Sequence, residues 1–250
     1  MKWLAGEELT VDARRRMWIG ETGDQAINFA LEHWIASAID AIEKRGLFTV
    51  ALSGGSTPNA LFKRLKDHPD VKRIDWKKVF LFWSDERSVP PTSPDSNFGQ
   101  AMSSGMQGFG IPHLQIFRME ADFHIEENAK RYEEVITAHV PNCSFDLMML
   151  GVGEDGHTAS LFPETKALKE STRLVVANEV PQKKTWRMTM TYPLINKARS
   201  IAIYALGERK APIIEELFKQ KVDVYPVCRV GTAESPALWI LDAPAAAKLL

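Results

Sequence analysis

The sequence predicts an α/β fold built on a mostly parallel, doubly wound sheet with helices on both faces. Two observations carry this. Short, continuously apolar, β-rich runs stop abruptly at glycine or polar turns, and amphipathic helical stretches alternate with them. Strands that alternate with helices require crossover connections, which build parallel sheets covered on two sides.

Each element follows from its own pattern. Ile27, Ala30, Leu31, Trp34, Ile35, Ala38, Ile39 and Ile42 recur at steps of three and four, one face of an amphipathic helix, and Gly46 ends it. No element is assigned before it. Residues 47–52 are apolar without interruption, as expected of a strand buried on both faces. The turn Ser53-Gly54-Gly55-Ser56-Thr57 breaks that strand, and Pro58 suits the first turn of the next helix. Residues 78–83 predict a second strand, 97–104 a helix, 115–118 a short strand and 124–139 a helix. A further strand over 145–150 stops at Gly151. Strands are then expected near 174–177, 187–191 and 200–206, a helix over 209–218 and a last strand at 238–241. Residues 90–96 form a polar, proline-rich loop, but no repeat or long linker divides the chain, so residues 1–250 are expected to make one domain.

Composition excludes several function classes. A hydrophobic content of 45% suffices for a buried core, and 31 Lys and Arg against 32 Asp and Glu, without a block of like charge, give no footprint for nucleic acid or a membrane surface. Cys143 and Cys228 are far apart and belong to no CxxC, so neither a zinc site nor a disulfide framework is signalled and two buried thiols are expected. No apolar run approaches the roughly 18 residues of a membrane helix, and residues 1–9 lack the apolar core of a secretory signal. A cytoplasmic protein, monomeric or a small homo-oligomer, is the expectation.

Three unusual segments, 53–57, 84–88 and 151–157, each follow a predicted strand. Ligands of such sheets sit beyond the carboxyl ends of the strands, so the three are expected to converge. In the first, backbone N–H groups at a helix start, opened by Gly54 and Gly55 and supplemented by Ser56 and Thr57, can cradle a phosphate. A plain turn with a helix cap would use similar residues. It is not a Walker loop, because no GK[ST] occurs. The second places Asp85, Glu86 and Arg87 where base, acid and anion-stabilising roles are open, although a solvated charge cluster has the same composition. The third matches G-x-G-x-x-G over 151–156, but Pro163 follows quickly and no acid stands about 20 residues on at a strand end, as a dinucleotide site would need. Its informative residue is His157, two positions from Asp155, a carboxylate that could orient the imidazole as a general base. The other histidines and the seven tryptophans have simpler structural roles. Arg187, at the start of a predicted strand, and Lys210, at the opening of a helix, are cations that could meet a phosphate on the same rim or serve as surface ion-pair partners.

Together, LSGGSTP at 52–58, WSDERSVP at 83–90, DSNFGQA at 95–101, GVGEDGHTASLFP at 151–163 and RMTMTYPLIN at 187–196 closely resemble the 6-phosphogluconolactonases. The likeness runs from about residue 48 to the stretch 238–243. It implies the fold shared with glucosamine-6-phosphate deaminases and metal-free, cofactor-free hydrolysis of 6-phospho-D-glucono-1,5-lactone to 6-phospho-D-gluconate in the oxidative pentose phosphate pathway. It further implies that Gly54, Gly55, Ser56 and Thr57 hold the phosphate with Lys210, that His157 activates water, and that Arg87 and Arg187 match cationic positions. Asp85 matches an acid shared with the deaminases. Those enzymes read DGHIAFNEP, with a glutamate where this chain has Phe162, and their DEY is DER here. Phe162 cannot relay a proton, which favours the lactonase over a deaminase. A non-catalytic sugar-phosphate sensor and an NAD-linked oxidoreductase are the remaining alternatives; no basic helix-turn-helix stretch supports the former.

Overall fold

The first residues described, for which the sequence predicts no element, form a hairpin. In the computed structural model, which describes residues 6–250, β1 (Glu8–Asp12) pairs antiparallel with β2 (Arg15–Gly20). Leu9 and Val11 alternate with exposed neighbours along β1, a signal too short to read alone. Helix α1 (Gly23–Arg45) opens where the Thr22 side chain accepts a hydrogen bond from the Gln25 amide. It closes at Gly46, whose left-handed φ of 80° lets its N–H return to the Ile42 carbonyl. Trp34, on the buried face of α1, meets Phe48 of β3 (Phe48–Leu52) edge to face, with centroids 5.2 Å apart. Losing a ring buried in this way costs about 3–5 kcal/mol.

Beyond β3 come α2 (Ser56–Leu65), β4 (Val79–Trp83), β5 (Asp85–Arg87), α3 (Asn97–Ser103), α4 (Ile125–His139) and β6 (Leu147–Gly151). The chain continues through β7 (Val175–Val180), β8 (Thr185–Met190), α5 (Tyr192–Ile195), β9 (Ile201–Ala205), α6 (Ala211–Phe218), β10 (Ala237–Asp242) and α7 (Ala243–Ala246). The main sheet has the order β1-β2-β10-β9-β6-β3-β4, parallel throughout except for β1. Steps from β2 to β3 and from β3 to β4 run one way across it, whereas steps from β6 to β9 and from β9 to β10 run the other. Right-handed crossovers then put α1 and α2, which touch each other, on one face and α6 on the opposite face. The reversal falls between β3 and β6, which are hydrogen-bonded neighbours.

The predicted strands near 174–177 and 187–191 do form, as β7 and β8, but outside this sheet. They pair antiparallel with each other and with β5 in a separate sheet of order β5-β8-β7, which α4 covers. The short strand expected at 115–118 is replaced by a single rung, Ile116 beside Leu81, with the Phe117 N–H on the Leu81 carbonyl. There the Gln115 side-chain amide, rather than the backbone, bonds to the Lys77 and Val79 carbonyls, so pairing does not propagate. One buried apolar cluster takes in both sheets, from Met17 and Trp239 to Val175 and Met188. Both cysteines are free; Cys228 is buried as expected, but Cys143 is only half-buried. Among the described residues, no helix is long and apolar enough to cross a membrane.

Candidate active site

At the carboxyl ends of β3 and β6, where the strand order reverses, a cleft of about 290 Å³ opens. Its first wall is the turn into α2. Helix α2 has no side-chain cap, and Gly55 before it takes a φ of 109°, a conformation that side chains rarely adopt. The first N–H groups of the helix are thus left for a ligand, with the Ser56 and Thr57 hydroxyls beside them. Gly54 is required for a different reason: a Cβ there would lie 1.8 Å from the Asn97 side-chain oxygen.

The second wall is β5, a strand that the sequence does not reveal because only Ser84 separates it from the end of β4. Alternation along it separates three roles. Asp85 lines the cleft, yet both carboxylate oxygens are engaged, one by the Ser160 hydroxyl at 2.6 Å and the other by the Asn97 amide at 3.2 Å. Glu86 turns into the protein and accepts hydrogen bonds from the Ser96 hydroxyl and from the N–H groups of Arg87, Asn97 and Phe98, which fixes the start of α3. Burial nonetheless pushes its carboxyl above the ordinary glutamate range. Arg87 faces the cleft, donates to the Asp95 carbonyl at 2.7 Å and keeps a buried Nε without a partner.

The third wall is the loop after β6. Gly153 donates to the His157 carbonyl and Gly156 to the Gly153 carbonyl, a tight turn in which no helix opens, so the G-x-G-x-x-G pattern lacks the context of a dinucleotide site. The turn brings His157 Nδ1 to 2.5 Å from Asp155 Oδ1, and Phe162 stacks on the imidazole at 4.0 Å between centroids. Partial burial works against ionisation of Asp155, but hydrogen bonds and charge from His157 outweigh it and hold the carboxyl below its usual value. Ala159, also lining the cleft, has a φ of 47°, strain of a kind that concentrates at functional sites.

Lys210 closes the far side. It stands at the N-terminus of α6, after a turn anchored by the Gly207 N–H on the Asp242 carboxylate at 2.9 Å.

The structure therefore gathers the 54–57 turn, Asp85, Arg87, His157 and Lys210 around one cavity. Asp155 stands behind His157, as the sequence suggests. Arg187 lies inside β8 rather than at its start, and antiparallel pairing sets it directly across from Arg87, on the same face of the small sheet. Burial, then the neighbouring Arg87 charge, lowers its pKa, and its Nε is buried without a partner. Sequence reasoning missed the roles of Asn97 and Ser160, and of Tyr204, another cleft residue. The sole available signal was that DSNFGQA and GHTASLFP are dense in polar residues beside apolar ones. Among the described residues, no group of three or more His, Cys, Asp or Glu side chains could hold a metal ion.

Comparison with known proteins shows the family. The family model described as glucosamine-6-phosphate isomerases/6-phosphogluconolactonase matches residues 21–239. The chain is 48% identical over 219 residues to a 6-phosphogluconolactonase of Chlamydia pneumoniae, covering 86% of this chain and 83% of that one. It is 36% identical to that of Haemophilus influenzae, covering 80% and 87%. The solved structure of the Thermotoga maritima 6-phosphogluconolactonase superposes with a TM-score of 0.78 at 25% identity, over 90% of this chain and 98% of that one. The chain belongs to the glucosamine-6-phosphate isomerase/6-phosphogluconolactonase family.

Proposed function

We propose that this protein is a 6-phosphogluconolactonase, hydrolysing 6-phospho-D-glucono-1,5-lactone to 6-phospho-D-gluconate at the cleft between β3 and β6. The observation that carries the proposal is the sharing of one cavity by an uncapped helix start, a lysine and a carboxylate-paired histidine. The phosphate sits on the Gly54–Thr57 turn, where unpartnered N–H groups, the helix dipole and Lys210 all favour negative charge. Anchored there, the lactone carbonyl is presented to a water at His157, and this placement supplies much of the rate. Asp155, on Nδ1, holds the imidazole so that Nε2 accepts the water proton as hydroxide adds to the carbonyl carbon. Arg87 and nearby N–H groups stabilise the tetrahedral oxyanion. When that intermediate collapses, the bond from carbon to the ring oxygen breaks, and His157 returns its proton to the departing oxygen. Asp85, with both oxygens bonded, keeps Asn97 and the 158–163 loop in place and adds negative potential opposite the cations. Arg187, paired across the strands with Arg87 and on the same face, adds positive potential beside it. A cytoplasmic setting is part of the proposal, supported by the two free thiols.

The test is acid release from freshly prepared 6-phosphogluconolactone, compared with unphosphorylated gluconolactone. The phosphorylated lactone is expected to be strongly preferred, and His157→Ala to lower turnover by about 100- to 10,000-fold while 6-phosphogluconate still binds. Equal rates on the two lactones, or full activity of the variant, would overturn the assignment.

A further inference from the structure

His157 is held more tightly than a single hydrogen bond can explain. Asp155 fixes the position of Nδ1 but leaves the ring free to swing about that contact. Two further surfaces remove that freedom. Phe162, itself only 4% exposed and so unable to move aside, lies against one face of the imidazole with the planes 18° apart. Gly153 presses from another side, where a Cβ would fall 2.1 Å from Nδ1, 2.3 Å from Cε1 and 2.5 Å from Asp155 Oδ1. Any side chain at 153 would displace the ring and its carboxylate together.

We infer that Phe162 and Gly153 are positioning residues for His157, holding the imidazole in one orientation so that Nε2, the ring nitrogen without a protein partner, is aimed at the attacking water. This rests on His157 being the general base. A group that must meet a water and a carbonyl carbon in line tolerates little displacement: an error near 1 Å costs about 100-fold in rate. The phosphate is gripped elsewhere, on the 54–57 turn, so misorientation of the ring acts on turnover and not on substrate affinity.

The experiment compares Phe162→Leu, which keeps an apolar side chain in the site but removes the flat face, with Phe162→Tyr, which keeps the face. For Phe162→Leu, kcat is expected to fall at least about tenfold while KM and the Kd for 6-phosphogluconate stay within about twofold of the parent, with Phe162→Tyr recovering most of the loss. Gly153→Ala is expected to show the same split. A residue that only fills the core predicts otherwise: a lower melting temperature with kcat intact, or kcat and product affinity falling in step. Either result for Phe162→Leu overturns the inference, and the Phe162 pair decides it even if Gly153→Ala does not fold. Should His157→Ala retain activity, the base assignment itself fails; Phe162→Leu at parental kcat beside an inactive His157→Ala removes the positioning role alone.

Discussion

The side-chain amide of Asn97 occupies the space that any side chain on Gly54 would need, with Oδ1 1.8 Å from the position of a Cβ. Its Nδ2 meanwhile donates to the Asp85 carbonyl at 2.9 Å and to the Asp85 carboxylate, so the amide cannot turn away without breaking buried bonds. Gly54→Ala should therefore push the phosphate turn and α3 apart. Overpacking of this kind costs about 1–3 kcal/mol, and the displaced turn should bind phosphate poorly. Calorimetric titration with 6-phosphogluconate and a thermal melt are expected to show both effects; unchanged product affinity would mean that the turn does not grip the phosphate.

Asp155→Asn should preserve the shape of the loop while removing the charge that fixes the imidazole. Loss of an orienting carboxylate costs as much as about 10,000-fold where it is buried. Asp155 is partly exposed, so the expected loss in kcat is smaller, at least about tenfold. Steady-state kinetics on fresh lactone would check it, with KM expected to stay near the parental value.

Lys210→Met keeps the length and apolar character of the side chain but deletes its charge. If the ammonium meets the phosphate, KM should rise about 10- to 100-fold, the worth of a hydrogen bond to a charged group, and the affinity should become less sensitive to salt. Hydrolysis of unphosphorylated gluconolactone should be unaffected, so the ratio of the two activities is the decisive reading.

His33 provides a pH test of stability remote from the cleft. Its Nδ1 is buried without a partner and its Nε2 lies 3.3 Å from the Ser200 hydroxyl. Burial, and secondarily Arg16, lowers its pKa from 6.5 to about 4. As pH falls below 6.5 the unfolded chain takes up this proton first, so the contribution of His33 to stability is lost between about 6.5 and 4. The slope is at most about 1.4 kcal/mol per pH unit. Urea midpoints at pH 7 and pH 5 should differ less in His33→Gln than in the parent.

Local chemistry was legible in the sequence because each part occupies contiguous residues. The glycine and hydroxyl turn at 53–57, the pair Asp155 and His157, and the Gly46 stop all declare themselves over a few positions. What stayed hidden depends on contacts between distant segments. Ser160 reaches Asp85 across 75 residues of sequence, and Asn97 matters because of what Gly54 lacks. The setting of Arg187 was hidden for the same reason: it follows from the pairing of β8 with β5, and a strand of three charged residues carries no apolar periodicity to announce it. The β1–β2 hairpin escaped because β1 buries no residue fully.

Asp242 ends β10, accepts the Gly207 N–H with both oxygens and also caps α7 through the Ala245 N–H. Helix α7 and the cation that faces the ligand thus share one carboxylate as their hinge pin. Unseating Ala243–Ala246 would be felt at Lys210, so a substitution in that short helix reaches the cleft without touching it.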